Sequence, residues 1–190
     1  MKNNIILASK SPRRIKLMKE YGYDPIVIPS RADENLPDFL SPESSVMFLA
    51  FLKAYDVASK HAQLPEDVVV IGSDTVVVHN GRIIGKPEGP SEAFNILDKL
   101  RDDSHYVITG VCLIRKSGDT YSKECFFERT DVFFKDYSDE ELLAYVNTDE
   151  PYDKAGGYAI QGTFSKYVDH IEGDYNNVVG FPIDSIIRRL

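Results

Sequence analysis

Four groups of side chains in this sequence could do chemistry together. Asp74 follows the apolar run Val68-Val69-Val70-Ile71 and sits in Gly72-Ser73-Asp74-Thr75. That places a carboxylate and a hydroxyl where a strand buried on both faces runs out, and such a carboxylate can take a proton or hold a cation. Beyond it, Asn80-Gly81 is a strong two-residue hairpin signal, because both positions need positive φ. Lys86 closes the returning strand, so the hairpin can bring Asp74 and Lys86 near one another. A second group, Ser9, Arg13 and Arg14, surrounds Ser11-Pro12, a serine cap followed by a first-turn proline. Free N–H groups at a helix start beside two arginines suit an anion such as phosphate.

The third group is a single lysine. Ser41-Pro42 starts a further helix with an inward stripe of Val46, Leu49, Ala50, Ala54, Val57 and Ala58. Lys53 points within about 40° of Val46, Leu49 and Val57 on that helix. A cation on a buried stripe is costly unless it meets an anion, the alternative being a stem that packs while the ammonium reaches solvent. On this reading Lys53 has no partner without substrate, and Lys53→Met is expected to leave the ligand-free fold unchanged or more stable. The fourth group is Gln161, in the glycine-rich segment 150–162, whose amide and carbonyl suit the edge of a base. Glu34 lies in the acidic loop 30–40, where carboxylates are usually just solvated.

The elements that must hold these groups follow in order. Strands are expected at 5–8, 25–29, 68–71 and 76–79, then 82–84, 104–116 and 120–134. Helices are expected from Pro12 to Gly22, with Ile15, Met18 and Tyr21 inward, from Ser41-Pro42 through the stripe ending at Ala58, and over 91–101 and 183–190. Ser138 with Glu141 forms a capping box for a further helix to Val146. No repeat or linker interrupts the chain, so a single domain over residues 1–190, divided into two lobes, is expected.

Composition bounds the function. Hydrophobic residues make up 43% and charged residues 27% of the 190, ordinary for a soluble globular protein. A net charge of −8 argues against nucleic-acid binding, and no apolar run reaches membrane-spanning length. The N-terminus lacks the order of regions found in a signal peptide. The two cysteines, Cys112 and Cys125, are too few for a disulfide framework and read as buried free thiols. A cytoplasmic protein fits all of this.

Three blocks, read together, resemble one family. LASKSPRR (7–14), GSDTVV with GKP (72–77, 85–87), and EPYDKAGGYAIQG with GDYNNVVGFPI (150–162, 173–183) are similar in order and spacing to the Maf family of nucleoside triphosphate pyrophosphatases. The likeness runs from residue 5 to about residue 188. It implies an α/β fold like that of inosine triphosphatases, with a mixed, elongated sheet flanked by helices and two lobes around a cleft. Arg13, Thr75 and Gln161 match the members that act on dTTP and UTP, so pyrimidine triphosphates are the implied substrates.

By the same resemblance, Asp74 matches the proton acceptor. Ser9, Arg14, Glu34, Lys53 and Lys86 match polar positions around the cleft, and a divalent cation, Mg²⁺ or Mn²⁺, is implied. Asp74 is assigned as the base and Glu34 as metal ligand, with the reverse left open and Asp74 also counted toward the metal. Ser73 and Ala159 depart from the family's usual small residues, and Asp102-Asp103 replaces a usual Ser-Gly. The competing readings are a nucleotide-sensing regulator of cell division without turnover, and a purine-specific pyrophosphatase of the inosine triphosphatase type. The oligomeric state is open between monomer and homodimer.

Overall fold

The computed structural model describes residues 4–37, 39–60 and 67–190. Its strands are β1 (Asn4–Leu7), β2 (Ile26–Val27), β3 (Asp67–His79), β4 (Arg82–Ile84), β5 (Ser104–Ser117), β6 (Thr120–Phe134) and β7 (Val168–Glu172). Its α-helices are α1 (Pro12–Glu20), α2 (Pro42–Lys60), α3 (Pro90–Leu100), α4 (Asp139–Val146), α5 (Tyr175–Val179) and α6 (Ile183–Ile187). Seven strands form one mixed sheet in the order β2-β1-β3-β5-β6-β7, with β4 paired to β3. β1 runs parallel to β2 and β3, whereas β4 lies antiparallel to β3 and β7 antiparallel to β6. This is the mixed α/β sheet with flanking helices expected from the sequence. Among the described residues no helix is long and apolar enough to cross a membrane.

The chain divides into two compact units, and β3, β5 and β6 each contribute to both. The first comprises Met1–Asp74, Thr109–Glu128 and Gly180–Leu190. Its core joins Ile6 and Ala8 of the β1 region, Val68 and Val70 of β3, and Cys112 and Ile114 of β5 to Ala50, Ala54, Val57 and Ala58 of α2. α2 lies unusually close to the strands. A Cβ on Gly72 would stand 2.1 Å from the Ala50 carbonyl oxygen and 2.7 Å from the Ala54 nitrogen. One on Gly110 would meet the Val46 carbonyl at 2.3 Å. Small residues on both surfaces therefore set the helix on the sheet, and Lys53 rides on that helix between Ala50 and Ala54.

The second unit comprises Thr75–Ile108 and Arg129–Val179. Its core is largely aromatic: Phe134, Tyr137, Tyr145, Tyr158, Phe164 and Tyr167 gather with Leu97 and Leu100 of α3. His105 is buried among them, bonded through Nε2 to the Tyr158 hydroxyl at 2.6 Å. Burial lowers its pKa to about 3, so the imidazole is neutral at pH 7. The hairpin forms as read, with Asn80 and Gly81 at φ 49° and 74°. The capping box at Ser138 and Glu141 is complete.

Three local expectations are corrected. β3 is a single strand of 13 residues, where a break at 72–75 was expected. In α1 the fully buried residues are Leu17 and Met18, while Tyr21 lies beyond the helix end and is exposed. Cys112 is buried as expected but Cys125 is exposed, their thiols 2.7 Å apart across β5 and β6.

Candidate active site

Arg14 is tied down on three sides in the first unit. Its Nε donates to the Gly180 carbonyl at 2.9 Å. Its Nη1 donates to the Ser73 carbonyl at 2.7 Å and to Ser9 Oγ at 3.3 Å. The start of α1 is thereby fastened to the residue before Asp74 and to the segment preceding α6. Burial lowers the Arg14 pKa to about 10, opposed by Asp74 and reinforced by neighbouring Arg13, and the guanidinium stays charged at neutral pH. Ser9 is itself buried and also accepts the Ser11 backbone N–H at 3.2 Å. Arg13 follows in the first turn of α1, half-buried.

Lys53 lies between two carboxylates of the same unit. Its Nζ is 2.7 Å from Asp74 Oδ1 and 3.1 Å from Glu34 Oε2. The Lys53 and Asp74 side chains are only 14% and 13% exposed, whereas Glu34 is 59% exposed. The stripe position of Lys53 was legible, but the expectation that it lacks a partner without substrate is corrected. Its counter-ions are built into the protein, so Lys53→Met removes an ion pair as well as a charge.

Asp56 is a supporting residue beside the candidate site that sequence reasoning missed. One turn beyond Lys53 on α2, it accepts the Arg31 N–H at 2.7 Å and the Ser30 hydroxyl at 3.1 Å. It also pairs with Lys60, which with the Arg31 bond holds its carboxyl below the usual range. The loop bearing Glu34 is thus anchored at its start to the helix bearing Lys53. The available signal was the i, i+3 spacing of Lys53 and Asp56, and its meaning depends on where the loop runs.

Three of the sequence-assigned residues belong to the second unit. Thr75 follows Asp74 on β3 and is half-buried. Lys86 is exposed just after β4. Gln161 is exposed in a turn closed by the Gly162 N–H donating to the Ala159 carbonyl at 3.0 Å. The structure therefore joins Glu34, Lys53 and Asp74 by ion pairs and Ser9 to Arg14 by a hydrogen bond. The two sets are linked through the Ser73 carbonyl, with Arg13 alongside in one unit, and Thr75, Lys86 and Gln161 are carried on the other.

The gathered residues offer buried positive charge for phosphate oxygens and a carboxylate for a proton. Among the described residues no three His, Cys, Asp or Glu side chains form a metal cage. Glu34 and Asp74 nevertheless converge on one cation, the Lys53 ammonium. Hard cations take carboxylate oxygens, and Mg²⁺ is commonly held by one or two of them plus substrate phosphates, so this donor set fits Mg²⁺ or Mn²⁺.

Comparison with known proteins adds the following. The family described as Maf-like protein matches residues 4–190. The dTTP/UTP pyrophosphatase of Caldicellulosiruptor saccharolyticus is 44% identical over 94% of this chain and 89% of its own length. That of Agathobacter rectalis is 41% identical over 99% and 96%. That of Bacillus thuringiensis is 44% identical over 98% and 93%. Two solved structures show a likeness at lower similarity. The nucleoside-triphosphatase / dITP/XTP pyrophosphatase of Mycobacterium abscessus has a TM-score of 0.41 and 16% identity over 69% of this chain and 74% of that one. The Staphylococcus aureus Ham1 protein has a TM-score of 0.39 and 20% identity over 86% and 90%.

Proposed function

The chain belongs to the Maf family, and from that premise we propose that it hydrolyses dTTP and UTP to the nucleoside monophosphate and pyrophosphate. The observation that carries the reading is the Lys53 ammonium held between Asp74 and Glu34, with Arg14 bonded to the residue before Asp74. A triphosphate brings about four negative charges, which Arg13, Arg14, Lys53 and Lys86 balance together with a divalent cation.

Asp74 is the proton acceptor for the attacking water. Its Oδ1 holds the Lys53 ammonium, leaving Oδ2 to take the proton. Ser9, Arg13, Arg14 and Lys53 bind the phosphates. Thr75, Lys86 and Gln161 are assigned to further substrate contacts, with Gln161 reading the pyrimidine edge, and residues 1–190 are read as one catalytic domain. Glu34, with the Asp74 oxygen that does not take the proton, would hold Mg²⁺ or Mn²⁺ in place of the Lys53 ammonium, which is then free for the phosphates. The ion would supply phosphate charge neutralisation and Lewis acidity.

A pocket that hydrogen-bonds the carbonyl and N3–H edge of a pyrimidine leaves those groups unpaired with any other base, which discriminates strongly. The extra methyl of dTTP is a small term, so UTP and dTTP are expected within about tenfold of each other. The net charge of −8 opposes any nucleic-acid partner, and the proposed setting is the cytoplasm, as monomer or homodimer. A panel of UTP, dTTP, CTP, GTP and ITP with Mg²⁺ or Mn²⁺, read by pyrophosphate release, tests the proposal. Fastest release from UTP and dTTP is expected. Faster turnover of a purine triphosphate would overturn the base assignment, and tight binding without release would make the protein a sensor instead.

A further inference from the structure

Glu150 opens the glycine-rich segment and turns its carboxylate onto the segment's far end. The Thr163 backbone N–H donates to Oε1 at 2.9 Å and to Oε2 at 3.2 Å, and the Thr163 hydroxyl donates to Oε2 at 2.7 Å. The Tyr145 hydroxyl reaches Oε1 at 3.5 Å and donates to the Gly157 carbonyl at 3.1 Å. A Cβ on Gly162 would lie 1.8 Å from Oε1, so the missing side chain is what admits the carboxylate. Beyond the clamp, Phe164 is fully buried against Tyr145, ring centroids 4.5 Å apart.

Between these fixed points lies the turn Ala159–Gly162, with Gln161 on its exposed side. An exposed loop carboxylate is ordinarily solvated; this one spends its acceptor capacity on Thr163, immediately after the turn. Charge-assisted bonds of this kind are stronger and more directional than neutral ones. A side chain on a turn fixed in advance loses less freedom when it binds, so the same hydrogen bonds yield more discrimination.

We propose that Glu150 is the positioning residue for Gln161: through Thr163 and Gly162 it fixes the turn, and so sets base selectivity without touching the substrate. The inference rests on the proposed role of Gln161 in reading the pyrimidine edge. A Glu150→Gln amide keeps the size but replaces one acceptor with a donor facing the Thr163 donors.

The test is a double-mutant cycle on kcat/KM for UTP and GTP. Glu150→Gln is expected to lower kcat/KM for UTP by about tenfold, mainly through KM, and to leave GTP within about twofold. In a Gln161→Ala background the same change is expected to alter UTP by less than about twofold, because the positioned group is gone. Thr163→Val removes only the hydroxyl donor and is expected to give the same pattern at about threefold. It decides the matter if Glu150→Gln fails to fold. Equal losses for UTP and GTP, or a full Glu150→Gln loss persisting beside Gln161→Ala, would overturn the positioning role and leave base reading by Gln161 standing. A Gln161→Ala protein with unchanged UTP kinetics would remove the base-reading role, and this inference with it.

Discussion

Lys53→Met separates what Lys53 does for the fold from what it does for substrate. The Lys53–Asp74 pair is 2.7 Å long, with its side chains 14% and 13% exposed. Removing one partner of a fully buried pair costs about 3–5 kcal/mol, and residual water access here lowers that to about 2–3 kcal/mol. The pair with Glu34, 59% exposed, adds about 0–1 kcal/mol. Methionine fills the space of the lysine stem and returns about 1 kcal/mol or less. The net expectation is a loss of about 2–3 kcal/mol, which for a chain of this size lowers Tm by roughly 5–10 °C. Thermal unfolding by circular dichroism without nucleotide reads it directly. Combining Lys53→Met with Asp74→Asn should cost clearly less than the sum of the two single changes, because each disrupts the same pair. A Lys53→Met protein that melts at or above the wild-type temperature, or strictly additive single costs, would refute the reasoning.

Three further outcomes follow from the same geometry. Gly72→Ala drives a methyl group to 2.1 Å from a backbone oxygen of α2, so a loss of about 3 kcal/mol or more is expected in urea unfolding, and near-wild-type stability would count against the close approach. Ser73→Ala removes a buried hydroxyl that has no hydrogen-bond partner among the described residues, and should raise stability by about 1 kcal/mol in the same assay; a loss of that size would imply an unseen partner. His105 takes a proton near 6.5 when unfolded but only near 3 when folded, so between those values the unfolded state binds more protons, stability rises with pH, and it is lost as pH falls at up to about 1.4 kcal/mol per unit. Unfolding curves from pH 4 to 7 should show a shallower slope for His105→Gln than for the wild type, and identical slopes would remove His105 from the acid response.

The sequence carried the helix faces better than the strand ends. The stripe of α2 and the place of Lys53 on it follow from helical spacing alone, and all six of its apolar residues are buried. Gly72 was misread as the end of a strand because glycine usually weakens one. Its role is tertiary: the strand continues through Asp74, and the missing side chain admits α2. In α1 the spacing was right but the face was taken one residue off, because Tyr21 already lies past the helix end, its hydroxyl near Asp184 at 3.4 Å. Glu34 meets Lys53 through a loop held by Asp56, and no local pattern encodes where a loop returns. Cys125, read as a buried thiol, is an exposed residue because the first half of β6 is largely solvent-facing.

The most direct test of the account compares pyrophosphate release from UTP by the wild-type protein and by Asp74→Asn, with nucleotide affinity measured on both by calorimetry. The amide keeps the shape of Asp74 but cannot take the proton from water. The account predicts release by the wild type, a fall of about a hundredfold or more in kcat for the variant, and UTP binding that survives the change. Near-normal release by Asp74→Asn would contradict it.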